Sequence, residues 1–175
     1  AVSLIGANSA TTILRALTNQ RVLTVTGAGI NNSTIISGLM FTAGNADTGS
    51  FTCPQDCGGG ILLTGNAQPL IQNVVISNNV AFEGGGLYAD TGIRLTLNNV
   101  LVISNTASSF GGGVTALGPA ILNGGLFQNN LSNSDGGGLD AESMLSLTGT
   151  QFMSNTAIGS GGAIFVFGAA TLSGG

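Results

Sequence analysis

The stretch VISNTASSFGGGVTALGPAILNGGLFQNN, residues 102–130, decides the fold, because its plan recurs at once as FQNNLSNSDGGGLDAESMLSLTGTQFMSN, residues 127–155. Outward from there, a glycine cluster followed by an apolar residue marks Ile61, Leu87, Val114, Leu139 and Ile164, at spacings of 26, 27, 25 and 25. A second column, Ile71, Leu97, Leu122, Leu147 and Leu172, keeps the same phase, and so does a third, Asn79, Asn105, Asn130 and Asn155. A period of this length held by three columns is the signature of a solenoid. Inside each unit apolar residues alternate with period 2, which reads as strands. Positions 61/63, 87/89, 114/116, 139/141 and 164/166 are expected to face the core, and 62/64, 88/90, 115/117, 140/142 and 165/167 to face out. Further strands surround Leu95–Leu97 and its equivalents, and precede each column asparagine. The expected fold is all-β: a right-handed parallel β-helix of about six to seven coils of 25–27 residues, with three short strands per coil.

The uncommon residues then acquire positions. Gly85, Gly112, Gly137 and Gly162 stand at the corner before each first strand, where backbone is crowded or left-handed. The column Asn79, Asn105, Asn130 and Asn155 can form an amide ladder from coil to coil. Residues 1–175 read as a single β-helix domain, with regular repeats over 58–175 and irregular coils over 1–57. In the latter, Asn45-Ala46 is aligned with the asparagine corner, and an insertion after it holds Cys53 and Cys57. These cysteines form a local disulfide or stay as two thiols; zinc would require two more Cys or His ligands, which the chain lacks.

Composition excludes several activities. Only 6% of residues are charged, with three Arg, seven acidic residues, and no Lys, His or Trp. Arg15, Arg21 and Arg94 cannot build the basic stripe that nucleic acid requires. Histidine chemistry is excluded, and the glycine clusters lack the lysine of a phosphate-binding loop. No apolar run approaches the length of a membrane helix. With 43% hydrophobic residues the chain does not read as disordered. The chain is expected to be a mature form or a piece of something longer, and no cofactor is expected.

A resemblance accompanies this pattern. Phe127-Gln-Asn-Asn130, Phe152-Met-Ser-Asn155 and Gly161-Gly-Ala-Ile164 are similar to the Phe-x-x-Asn and Gly-Gly-Ala-aliphatic motifs of polymorphic outer-membrane-protein repeats. Thr11–Leu14 and Ile36–Ala46 resemble the first coils of bacterial pectin-lyase-like β-helix proteins. The resemblance implies a secreted or surface-displayed β-helix, often an adhesin or passenger domain, and carries over no catalytic residues.

Three carboxylates are weak catalytic candidates. Asp140 and Glu142 leave the same side of one strand about 6.5–7 Å apart, and Asp90 shares a column with Glu142 about 9.6 Å away, within the range of glycoside chemistry. Their outward position reads more simply as a solvated face. Glu83 and Asp135 share a column interrupted by Phe110, so no metal site is assigned, and the threonines form no unbroken ice-binding column. Val75, Leu101 and Leu126 leave an apolar stripe outside, and Leu62, Tyr88, Leu117, Phe165 and Phe167 another. Such stripes are covered by loops or mark contact surfaces. Neither end carries a polar cap, so either further coils follow or ends stack. The expectation is a non-catalytic extracellular or cell-surface structural or adhesive module, self-associating or binding a protein or glycan. The competing expectation is a carbohydrate-active enzyme.

Overall fold

Leu87-Tyr-Ala89 shows how local pattern becomes architecture: Leu87 and Ala89 point inward, Tyr88 outward, and each meets its counterpart one coil away. The computed structural model describes residues 3–174; Ala1, Val2 and Gly175, which bear on the reading of the ends, lie outside them. Its first face is a seven-stranded parallel sheet of Leu4–Ile5, Ile35–Ser37, Leu70–Gln72, Leu95–Asn98, Ala120–Asn123, Leu145–Thr148 and Ala170–Ser173. The second face stacks Ile13–Arg15, Met40–Thr42, Val75–Ser77, Leu101–Ile103, Leu126–Gln128 and Gln151–Met153. The third stacks Leu23–Thr26, Ile61–Thr64, Leu87–Ala89, Val114–Ala116, Leu139–Ala141 and Ile164–Val166. The chain is a parallel β-solenoid of about six turns. It visits first, second and third faces in order, and neighbouring strands are 25 to 38 residues apart in sequence.

One element differs from the expected three strands per coil. A fourth ladder of two-residue strands, Val80–Ala81, Thr106–Ala107, Leu131–Ser132 and Thr156–Ala157, follows each column asparagine. Two residues are too short to show alternation, so periodicity does not reveal it.

The core is a bundle of stacked columns. Ile36, Ile71, Leu97, Leu122 and Leu147 line the first face. Phe41, Ile76, Val102, Phe127 and Phe152 line the second, with the Phe127 and Phe152 rings stacked at 4.7 Å. Ile61, Leu87, Val114 and Leu139 line the third. Each fully buried aliphatic side chain contributes roughly 1.5–3 kcal/mol, and every coil repeats the same set.

Asparagine rungs close the corner between second and third faces. Asn79 donates from Nδ2 to Oδ1 of Asn105 (2.9 Å), Asn105 to Asn130 (3.0 Å) and Asn130 to Asn155 (2.8 Å). Each amide also donates to a main-chain carbonyl, of Phe41, Ile76, Val102 and Phe127 in turn. At the lower end Oδ1 of Asn79 accepts from the N–H of Gly44, whereas Asn45 bridges to Val80. The asparagine position of that coil is therefore Gly44, one residue before the alignment on Asn45.

The glycine clusters divide their roles. Gly58, Gly84, Gly111, Gly136 and Gly161 adopt φ between 58° and 67°, a region costly for side chains with Cβ. The following Gly85, Gly112 and Gly137 are instead enclosed: a Cβ on Gly85 would sit 2.4 Å from the Thr106 carbonyl oxygen. Gly162 is far less enclosed: a Cβ there would meet one tight neighbour, the Asn155 carbonyl oxygen at 3.3 Å, and nothing else nearer than 3.8 Å.

Candidate functional site

The outer side of the third face carries most of the protein's chemistry. Four positions expected to face outward there are buried: Leu62, Tyr88, Thr115 and Asp140. They form one column, in register strand after strand. Leu62 and Tyr88 are each 3% exposed, because the inserted loop over residues 47–57 folds back across them with Cys57 packed against both. Cys53 and Cys57 are joined in a disulfide. Higher up, the corner glycines provide the cover. The Thr115 hydroxyl donates to the Phe110 carbonyl, and Gly136 approaches Asp140 so closely that a Cβ there would meet its Cβ at 2.7 Å.

Two charged residues absent from the candidate set hold the loop. Arg21 donates to the carbonyls of Pro54 (2.7 Å), Gln55 (2.9 Å), Cys57 (2.6 Å) and Gly58 (3.1 Å). Burial lowers its pKa, with the Asp56 charge opposing that shift. Asp56 is buried and accepts from the hydroxyls of Ser50 and Thr48, both at 2.6 Å, and from the Phe51 N–H. These bonds hold its carboxyl down at about 2, the Ser50 hydroxyl foremost. The only sequence signal was that Arg21 is one of three cations, and it lies 32 residues from Cys53.

The three catalytic candidates separate. Asp140 is 1% exposed and Glu142 is exposed. Asp90 is half-buried and accepts from the Thr64 hydroxyl (3.3 Å) and the Thr91 N–H (2.7 Å). The solvated-face reading is thus corrected for Asp140: its direction is outward, but corner backbone closes over it. Burial, then the charges of Glu142, Glu83 and Asp135, push its carboxyl up to about 7. Glu83 is raised as well, by burial and by Glu142. Burial, then the charges of Glu83 and Asp90, raise the Tyr88 phenol. Among the described residues, the tightest gathering of cysteine and carboxylate atoms is Cys53, Cys57 and Glu83, within 4.8 Å. Its two sulfurs are already spent on each other.

The second face presents Ile13, Met40, Val75, Leu101 and Leu126 in register on its outside, ended by Gln151. Leu101 is exposed, and Val75 and Leu126 are half-buried between their stacked neighbours. On the third face Phe165 is half-buried and Phe167 is 77% exposed. The first face bears two adjoining shallow depressions of about 320 and 390 Å³ that share Arg94 and Ile121. Asn31, Asn32, Gln68 and Thr96 line one, and Met144 and Ser146 the other.

Ladders, stacked core and asparagine rungs define a parallel β-solenoid repeat protein. Residues 149–166, which span the Phe152–Asn155 and Gly161–Ile164 motifs, match the family described as the Chlamydia polymorphic membrane protein (Chlamydia_PMP) repeat. Neither a curated protein nor a solved structure matches the chain significantly. Among the described residues no helix is long and apolar enough to cross a membrane.

Proposed function

We propose that this chain is a non-catalytic structural and adhesive β-solenoid displayed at the cell surface, as a passenger stalk or a filament subunit. The observation that carries this reading is the in-register outer stripe of Ile13, Met40, Val75, Leu101 and Leu126, an apolar ladder five coils long. Contiguous apolar surface of this kind marks contact with another macromolecule. The neighbouring first face suits a glycan, with amides, hydroxyls and one guanidinium, Arg94, along an open groove. Surface display is supported by the repeat matched over residues 149–166 and by the Cys53–Cys57 bridge, which favours an oxidising compartment.

The test is adhesion. Beads carrying the purified chain should be retained on glycan-bearing cell layers or clump together, and Leu101→Ser with Leu126→Ser should abolish this without unfolding the protein. Antibody labelling of intact cells checks display. The competing reading, a carbohydrate-active enzyme, rests on Asp90 and Glu142 remaining within reach of solvent. Polysaccharide cleavage that disappears in Asp90→Asn or Glu142→Gln would replace the adhesive reading.

A further inference from the structure

Oδ1 of Asp140 is the one buried side-chain oxygen or nitrogen among the described residues without a hydrogen-bond partner. Glu142 stands two residues on along the same side of its strand, and the charges of Glu142, Glu83 and Asp135 all act on Asp140, Glu142 most strongly. The chain offers no cation of its own to pair with this group. There is no Lys or His, Arg21 is committed to the carbonyls of the disulfide loop, and Arg94 lines the first face. A buried carboxylate without a counter-charge is expensive; it is relieved by taking up a proton or by a cation from outside the chain.

We propose that the outer side of the third face binds a hard divalent cation of the calcium type, with Asp140 and Glu142 as its protein ligands and Glu83 completing the negative field. Asp140 offers a fixed, desolvated oxygen at the base of the site. Glu142, two residues on along the same side of the chain and exposed, supplies the ligand that swings in. Carbonyls of the corner and water fill the remaining positions, as oxygen-seeking cations with six to eight ligands require. With only two carboxylates in direct contact, one of them mobile, affinity belongs with weak extracellular sites, roughly 10⁻⁴–10⁻³ M.

The position of the single tyrosine makes this testable in the intact chain. Tyr88 stands in the column of Asp140 two coils below, about 10 Å away, and there is no Trp. Terbium, a luminescent substitute for calcium, should therefore give saturable emission on excitation of Tyr88, and millimolar calcium should displace it. Emission should fall at least about tenfold in Asp140→Asn and in Glu142→Gln with circular dichroism unchanged. Calcium at ten times its Kd should raise the thermal midpoint by about 3–5 °C, and neither variant should show the rise. Absence of both saturable emission and the midpoint rise overturns the site, as does emission that survives in Asp140→Asn. Should Asp140→Asn fail to fold, Glu142→Gln alone decides: undiminished emission overturns the proposal and its loss upholds it.

Discussion

Asn105 shows how much one side chain carries in a stacked fold. Its amide donates to the Ile76 carbonyl and to Asn130, and its oxygen accepts the main-chain N–H and the side-chain amide of Asn79. Replacement by Ala leaves several of these groups buried and unpaired, so Asn105→Ala should lose about 3 kcal/mol in denaturant unfolding. Asn155 makes the same kind of bonds at a half-buried position that water reaches, and Asn155→Ala should lose about 1 kcal/mol. Equal losses would mean that the ladder contributes nothing beyond its individual bonds. Two acids set the pH response, measured with chelator present. Asp140 is raised to about 7, so the folded state binds a proton that the unfolded state has released; stability falls as pH climbs from about 4 through 7. Asp56 is lowered to about 2, and its contribution is lost as pH falls from about 4 through 2. The thermal midpoint should therefore peak in mildly acidic buffer, and Asp140→Asn should flatten the neutral side of that peak. A maximum above pH 7 would contradict the assignment.

Among the elements, the corner glycines and the disulfide loop behave differently from their neighbours for reasons of enclosure. A Cβ on Gly85 would lie 2.4 and 2.5 Å from the carbonyl oxygens of Thr106 and Gly112, while one on Gly162 meets nothing nearer than 3.3 Å. Gly85→Ala should cost about 3 kcal/mol, whereas Gly162→Ala should stay within about 0.5 kcal/mol. The loop over residues 47–57 is held by Arg21 as well as by its bridge. Arg21→Ala should accelerate proteolysis within it and increase binding of an apolar dye as Leu62 and Tyr88 lose their cover; unchanged cleavage would show that the disulfide suffices. The same elements mark where sequence reading stops. Columns spaced by one period disclosed the strands, the core and the rungs, because stacking forces like residues into like positions. The burial of Tyr88 and Asp140 was not legible, since alternation reports only direction. What lies on top of an outward side chain depends on a non-repeating loop and on a corner whose glycines can crowd it. Gly44 was misplaced by one residue for a related reason: a bare N–H fills the asparagine position, and the neighbouring Asn45 imitates it.

At the scale of the whole molecule, stability is close to one-dimensional, because each coil packs chiefly on the coils above and below, the Ser108 hydroxyl reaching past one coil to donate to Asp47. The linkage between coils is nevertheless uneven. Amide rungs join the four coils of Asn79, Asn105, Asn130 and Asn155 and end at the Gly44 N–H. Below that level the coils are joined by main-chain ladders and thinner packing: Ile13 and Ile5 are exposed, and Leu14 and Leu23 are only half-buried. The exception is Arg21, which ties the third-face end of the first coil to the loop between the second-face and third-face strands of the next coil. Amide hydrogen exchange of the chain should thus show a step rather than a uniform gradient. Residues 3–20 and 27–42 should exchange first, residues 21–26 should be protected beyond their neighbours by the Arg21 contacts, and residues 71–147 should exchange last. Arg21→Ala should bring residues 21–26 down to the level of the coil around them while leaving 71–147 untouched. A single cooperative opening of all coils at one rate would mean that the core columns, and not the rungs and the Arg21 tie, set the coupling between turns.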